Sequence, residues 1–185
     1  MSLRAESGYS SRGRQTALAV AISGSPRAPS KSKALAEALL DALARGGCNT
    51  RLIDLAELPA DALLARCAHA DVDDVIAAVA AAQIVVAATP TYRALYTGLL
   101  KAFFDLMPRA HLAGKLCLPV QTAAVPHHAL AVDYGLRPLF VSLEGLPLPG
   151  VFATDEQFAG GEPNAALLAR VDDVAGAALR LLHTS

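Results

Sequence analysis

Tryptophan is absent from this 185-residue chain, and aromatic side chains of any kind make up only 5% of it. Cysteine is also scarce. Cys48, Cys67 and Cys117 are three in number and widely spaced, so they form neither a C-x-x-C pair nor a disulfide framework, and a reducing, cytoplasmic setting is expected. Charge of one sign is missing as well: 16 Lys and Arg stand against 17 Asp and Glu, with no basic block to attract nucleic acid or an anionic membrane. The longest nearly apolar run, Ile76 to Ala88, is interrupted by Gln83 and ends at Thr89-Pro90. It falls well short of the roughly 20 residues that span a bilayer. Residues 1–16, with Ser2, Arg4, Glu6, Arg12 and Arg14, lack the apolar centre of a secretory signal and read as a mobile N-terminal tail. Residues 17–185 then form a single domain.

What the chain has in excess is alanine, 39 residues of it, within an apolar content of 54% and against a charged content of 18%. Disorder is excluded, and closely packed helices are expected. Ala17 to Ile22 reads as a strand, Ser23 to Ser30 as a turn-rich loop, and Ala34, Leu35, Ala38, Leu39 and Leu43 as the apolar face of a helix stopped by Gly46-Gly47. Thr50 to Asp54 alternates as a second strand, and Asp71, Asp73 and Asp74 open a helix running to Ala81, where acidic residues suit the helix dipole. Ile84 to Ala88 is apolar throughout, as a strand covered on both faces would be, and is read as the central strand.

Further along, Gly98 to Met107 has helical spacing, Lys115 to Gln121 reads as a fourth strand, and about His128 to Leu143 as a helix. Val151 to Ala153 is a short fifth strand, and Asn164 to His183 closes the chain with Leu167, Leu168, Val171, Val174, Ala178 and Leu179 turned inward. This alternation predicts an α/β fold: a flavodoxin-like three-layer sandwich with a five-stranded parallel sheet in the order 2-1-3-4-5. Ligands bind such sheets beyond the carboxyl ends of the strands at the switch point, so the loops after Ile22, Ala88 and Gln121 should converge.

The first of these loops offers the hydroxyls of Ser23, Ser25, Ser30 and Ser32, the guanidinium of Arg27 and the N–H groups of a helix start, a set suited to phosphate. Gly24 is its one glycine, which disfavours both a G-x-G-x-x-G dinucleotide site and a P-loop. The plainer alternative makes Ser30 or Ser32 a helix cap and Arg27 a surface charge. The second loop carries Tyr92, Arg93 and Tyr96, aromatic edges and a cation for a planar ligand, or else a simple helix entry. His127 and His128 are adjacent rather than three or four apart, so no metal site is expected, and His69, His111 and His183 read as surface or cap residues. No nucleophile elbow is present.

Three segments carry a resemblance: Gly24-Ser-Pro-Arg-Ala-Pro-Ser-Lys-Ser32; Ala88-Thr-Pro-Thr-Tyr-Arg-Ala-Leu-Tyr-Thr-Gly-Leu-Leu-Lys101 with Asp105; and His128-Ala-Leu-Ala-Val-Asp-Tyr134 leading to Arg137-Pro138. From about Leu18 to Phe158 the chain resembles the NADPH-dependent FMN reductase family, in particular the reductases of two-component alkanesulfonate monooxygenase systems. The resemblance implies that Ser25, Arg27, Ser30 and Ser32 hold the FMN phosphate, and that Pro90, Thr91, Tyr92 and Arg93 lie along the isoalloxazine. It further implies that Thr122, Ala123 and Ala124 support the flavin through their backbone, and that Tyr134 sits in a π-helical insertion at a tetramer interface and favours flavin exchange. Lys101 and Asp105 match as helix residues of structural or subunit-contact type. The chain departs from the family where Thr122-Ala123-Ala124 replaces Thr-Gly-Gly, since a Cβ disfavours positive φ and distances the flavin.

The implied activity is hydride transfer from NADPH or NADH to FMN, with the cofactors carrying the chemistry and the protein supplying orientation, so no side-chain catalyst is required. Backbone N–H groups of Thr122 to Ala124 would steady negative charge on the flavin. Reduced flavin would pass to a partner monooxygenase. The alternatives are an FMN-retaining quinone or azo reductase, a flavodoxin-type electron carrier, whose usual acidity is missing here, and a flavin-binding protein without turnover. The apolar helix surface around Leu99 to Met107 suggests self-association as a homodimer or homotetramer.

Overall fold

The computed structural model describes residues 16–184, so the tail expected at residues 1–16 lies almost wholly outside it. Strands β1 (Leu18–Ser23), β2 (Asn49–Asp54), β3 (Ile84–Pro90) and β4 (Leu116–Ala123) pair in parallel in the order β2-β1-β3-β4, which makes β3 central. Beyond β4 the fifth position is shared. β5 (Leu146–Pro147) pairs with Leu116 and Cys117, and β6 (Val151–Thr154) pairs with residues 120–123. The expected order 2-1-3-4-5 stands, but its last strand is broken into two.

Helices α1 (Lys31–Arg45) and α6 (Ala165–Thr184) cover one face of the sheet. On the other lie α2 (Ala60–Leu63), α3 (Ala70–Ala81), α4 (Gly98–Asp105) and α5 (Arg137–Ser142). The two cores follow from the period of two along each strand: Ala19 and Ala21 face α1, whereas Val20 and Ile22 face the opposite layer. Small side chains let the helices lie close. Leu168, read as inward, is instead exposed on α6, while Leu167, Val171 and Ala178 are buried.

Local chemistry fixes the helix ends. Ser30 caps α1 by accepting from the Lys33 N–H, His69 caps α3 through the Asp71 N–H, and Gly47 leaves α1 with φ of +92°. The helix expected from His128 to Leu143 runs unbroken from Leu130 to Ser142, with a π-helical turn inserted in it. A 3₁₀ turn at Pro126–Ala129 precedes it, and the π-helical turn at Val132–Leu136 contains Tyr134 and leads into α5. Pro138 falls at the start of α5, where the π-helical turn gives way to the α-helical part.

The apolar face of Leu99 to Met107 is turned into the core. Leu100, Phe103, Phe104 and Met107 are buried there and Leu99 packs against them, so this face is not the exposed one. The exposed large apolar side chains instead include Leu95, Leu130, Tyr134 and Val141. Lys101 and Asp105 form an exposed ion pair one turn apart, at 2.5 Å. No helix among the described residues is long and apolar enough to cross a membrane.

Candidate functional site

The loops after β1, β3 and β4 meet at the carboxyl edge of the sheet around a cleft of about 310 Å³. Its lining includes Ser25, Arg27, Ser30 and Ser32 from the first loop, Pro90, Thr91 and Tyr92 from the second, and Thr122, Ala123 and Ala124 from the third. Ten of the eleven residues assigned to cofactor binding from the sequence thus share one wall-to-wall space. Arg93 does not line it. Arg93 and Ala94 are the centre of a tight turn, with φ of +49° and +70°, closed by hydrogen bonds between Tyr92 and Leu95 in both directions. That turn aims Arg93 outward and leaves Tyr92 half open at the rim.

The first loop presents donors. Ser30 Oγ and Ser32 Oγ lie 3.1 Å apart at the N-terminus of α1, and the Ser25 hydroxyl donates to the Arg27 carbonyl at 3.1 Å. No acidic residue occupies the first turn of α1, so the positive end of the helix is not neutralised by its own side chains. Hydroxyls, a guanidinium and helix N–H groups in one place fit a phosphate monoester. The capping reading of Ser30 holds at the same time, because one lone pair serves the Lys33 N–H while the hydroxyl proton is free to turn.

The first two loops are tied together beneath the cleft by a residue the sequence did not single out. Thr97, buried at the start of α4, donates its hydroxyl to the Gly24 carbonyl at 2.6 Å and accepts from the Leu100 N–H at 3.1 Å. Its own N–H donates to Thr89 Oγ1. Gly24 is needed there, since a Cβ at that position would stand 2.6 Å from Leu100 Cβ. Likewise Gln121 Nε2 donates to Thr91 Oγ1 at 2.9 Å and the Thr91 N–H to the Thr122 carbonyl at 2.7 Å, which joins the second loop to the third.

Neither Ala123 nor Ala124 has a positive φ; among the described residues the non-glycine ones that do are Ala65, Arg93, Ala94, Ala110 and Glu144. The conformation that would demand glycine is therefore not used in the third loop, and alanine is accommodated without backbone strain. Ala124 lies one residue past the last paired position of β4.

Lys31 and Asp155 also line the cleft and were missed. Lys31 stands between Ser30 and Ser32 in sequence, and its charge ahead of a helix is the signal that marks it. Asp155 follows β6 directly, and the rule that ligands lie beyond the carboxyl ends of strands would have pointed to it. Tyr134 lies outside the cleft lining and is 76% exposed on its π-helical turn. His127 and His128 meet edge to face at 4.7 Å, and no group of three potential metal ligands occurs among the described residues.

Known proteins share this arrangement. The model of the NADPH-dependent FMN reductase family matches residues 18–159. The FMN reductase (NADPH) of Pseudomonas putida strain KT2440 is 37% identical over 147 residues, 78% of this chain and 75% of that protein. The NADH-dependent FMN reductase SfnE of Pseudomonas putida is 38% identical over 155 residues, 81% and 83% of the two chains. The apo crystal structure of the NADH:FMN oxidoreductase EMOB covers 90% of each chain with a TM-score of 0.83 at 36% identity. A pneumococcal flavodoxin, at 17% identity and a TM-score of 0.64, shares the fold. From the extent of the family match, which includes all three cleft loops, the chain belongs to the NADPH-dependent FMN reductase family.

Proposed function

We propose that this cleft binds FMN as a substrate for reduction by NADPH or NADH, with the phosphate on Ser25, Arg27, Ser30, Ser32 and the N-terminus of α1. The isoalloxazine then runs along Pro90, Thr91 and Tyr92 and against Thr122 to Ala124. The observation that carries the assignment is the convergence of a serine-rich helix start free of acidic residues with the ends of β3 and β4 around one cleft. Bound beside a reduced nicotinamide, FMN supplies the hydride-accepting N5.

The chain itself orients and polarises. The Gln121–Thr91–Thr122 hydrogen bonds hold the two flavin-facing loops at a fixed separation, so little rotational freedom is left to be lost when the reactants meet. Ala123 and Ala124, at the cleft end of β4, would hold the flavin's N1–C2 oxygen edge and supply backbone N–H donors to the negative charge that develops there. Relatives named for NADPH and for NADH match this chain equally well, which supports either donor. Reduced flavin released from an open, half-exposed cleft suits delivery to a flavin-dependent monooxygenase.

NADPH oxidation by the purified protein, followed as free FMN is titrated in with NADH and a quinone alongside, tests this directly. Saturable dependence on added FMN is the expected result. Turnover with quinone that needs no added FMN would make the flavin a resident group instead. Arg27→Ala weakens FMN binding several-fold on this reading, and unchanged affinity would remove Arg27 from the phosphate site.

A further inference from the structure

Lys31 is the first residue of α1, directly after Ser30, and shares the cleft with Ser25, Arg27 and Ser32. Its ammonium is nevertheless turned to the opposite rim. There Nζ lies 2.9 Å from Asp155 Oδ1 and 5.7 Å from the centroid of the Phe158 ring. Asp155 opens a 3₁₀ turn, Asp155–Gln157, that a capping box between Thr154 and Gln157 holds in shape. Phe158 then begins a hairpin, β7 (Phe158–Ala159) with β8 (Glu162–Pro163), that packs on α1. One ion pair thus joins the two sides of the phosphate cradle.

Both partners are well exposed, Lys31 at 37% and Asp155 at 54%, so their mutual attraction is weak. A phosphate monoester carries more charge than a carboxylate and offers three acceptor oxygens. Lysine is a compact charge on a flexible stem, able to swing between two nearby anions while its backbone stays fixed in the helix. We propose that Lys31 is held on Asp155 when the cleft is empty and passes to the FMN phosphate on binding, so that Asp155 sets FMN affinity by competing for Lys31. Asp155 is then a positioning residue that never touches the flavin. Each departing phosphate surrenders Lys31 to a waiting carboxylate, which keeps flavin retention moderate. The inference rests on the reading of the cleft as the FMN site.

The test titrates the full chain and its variants with FMN and with riboflavin, which lacks the phosphate, by quenching of flavin fluorescence. Asp155→Asn is expected to tighten FMN by roughly two- to fivefold and leave riboflavin unchanged. Lys31→Gln weakens FMN by roughly three- to tenfold, again without effect on riboflavin, and Lys31→Arg restores most of the loss. In the Lys31→Gln background, Asp155→Asn changes nothing. Equal shifts for both flavins, or FMN affinity indifferent to Asp155→Asn while Lys31 is intact, overturn the competition. Arg27→Ala separates the two claims. If neither Arg27→Ala nor Lys31→Gln alters FMN affinity the cleft assignment itself fails, whereas losses in both with Asp155→Asn silent sink only the exchange of Lys31.

Discussion

Gly150 lies so close over Pro119 that a Cβ at Gly150 would stand 2.0 Å from the Pro119 carbonyl oxygen. Pro119 sits in the middle of β4, where it has no N–H to give to the ladder, and the neighbouring chain responds by leaving the sheet between β5 and β6. Leu148 makes one last bond to the Cys117 carbonyl before Pro149 and Gly150 form the break. The split sets where β6 re-enters, and with it where Asp155 meets the cleft.

Replacing Gly150 with Ala forces the two backbones apart, because the obstructing atom is a carbonyl oxygen that cannot rotate away. The expected loss is about 1–3 kcal/mol, read as a lower urea midpoint with an unchanged slope. A midpoint equal to that of the parent chain would mean that the fifth strand can shift freely.

Thr97 is the stronger test of the site's framework. Thr97→Ala removes the cap on α4 and leaves the Gly24 carbonyl without its donor in a buried setting, for a loss of about 2 kcal/mol. Since Gly24 leads into Ser25, FMN affinity should fall as well. Thr97→Ser keeps the hydroxyl and should recover both stability and binding. If Thr97→Ser behaves like Thr97→Ala, the methyl group and not the hydrogen bonds holds the loops together.

The three cysteines divide by environment. Cys67 is exposed, whereas Cys48 and Cys117 are buried, and burial pushes the Cys117 thiol up to about 12 and raises that of Cys48. A thiol reagent at pH 8 should therefore label one equivalent quickly and the other two only as fast as the chain opens. The same shifts make stability pH-dependent. Below pH 9 both buried thiols are neutral in folded and unfolded chains alike; above it the unfolded chain ionises first, so stability declines as pH rises toward 12. Serine at Cys117 should flatten that decline. Three equally fast equivalents at pH 8 would contradict the burial of Cys48 and Cys117.

The strand order and the site loops were legible because both rest on local patterns: apolar runs such as Ile84 to Ala88, and hydroxyls crowded ahead of a helix. The broken fifth strand was not, since it depends on Pro119 meeting Gly150 some thirty residues away in sequence. Arg93 was placed in the cleft by its neighbours Thr91 and Tyr92, yet the left-handed turn at Arg93 and Ala94 carries no glycine or asparagine to announce it. The face of Leu99 to Met107 reads as a contact surface in the sequence because periodicity marks an apolar face without saying what covers it. Only the folded chain shows that the cover is its own core.

The apolar surface left outside that core leads to the last prediction. Tyr134 is 76% exposed, Leu130 61% and Val141 57%, and the π-helical turn that carries Tyr134 rests on Leu95 and Tyr96 through the small Gly135. A π-helical turn widens the helix by a residue and turns the Tyr134 side chain away from the fold. Large apolar side chains left exposed along one helical stretch are expected to meet a second copy of the chain. Tyr134→Ser should shift sedimentation toward the smaller species and leave the urea midpoint of the remaining subunit close to that of the parent. If Tyr134 also governs flavin exchange, the same variant alters how much FMN survives gel filtration while Arg27→Ala alters affinity without changing the oligomer. Unchanged sedimentation at micromolar concentration would dismiss Tyr134 from the subunit contact, and an effect on flavin retention alone would place its role at the cleft.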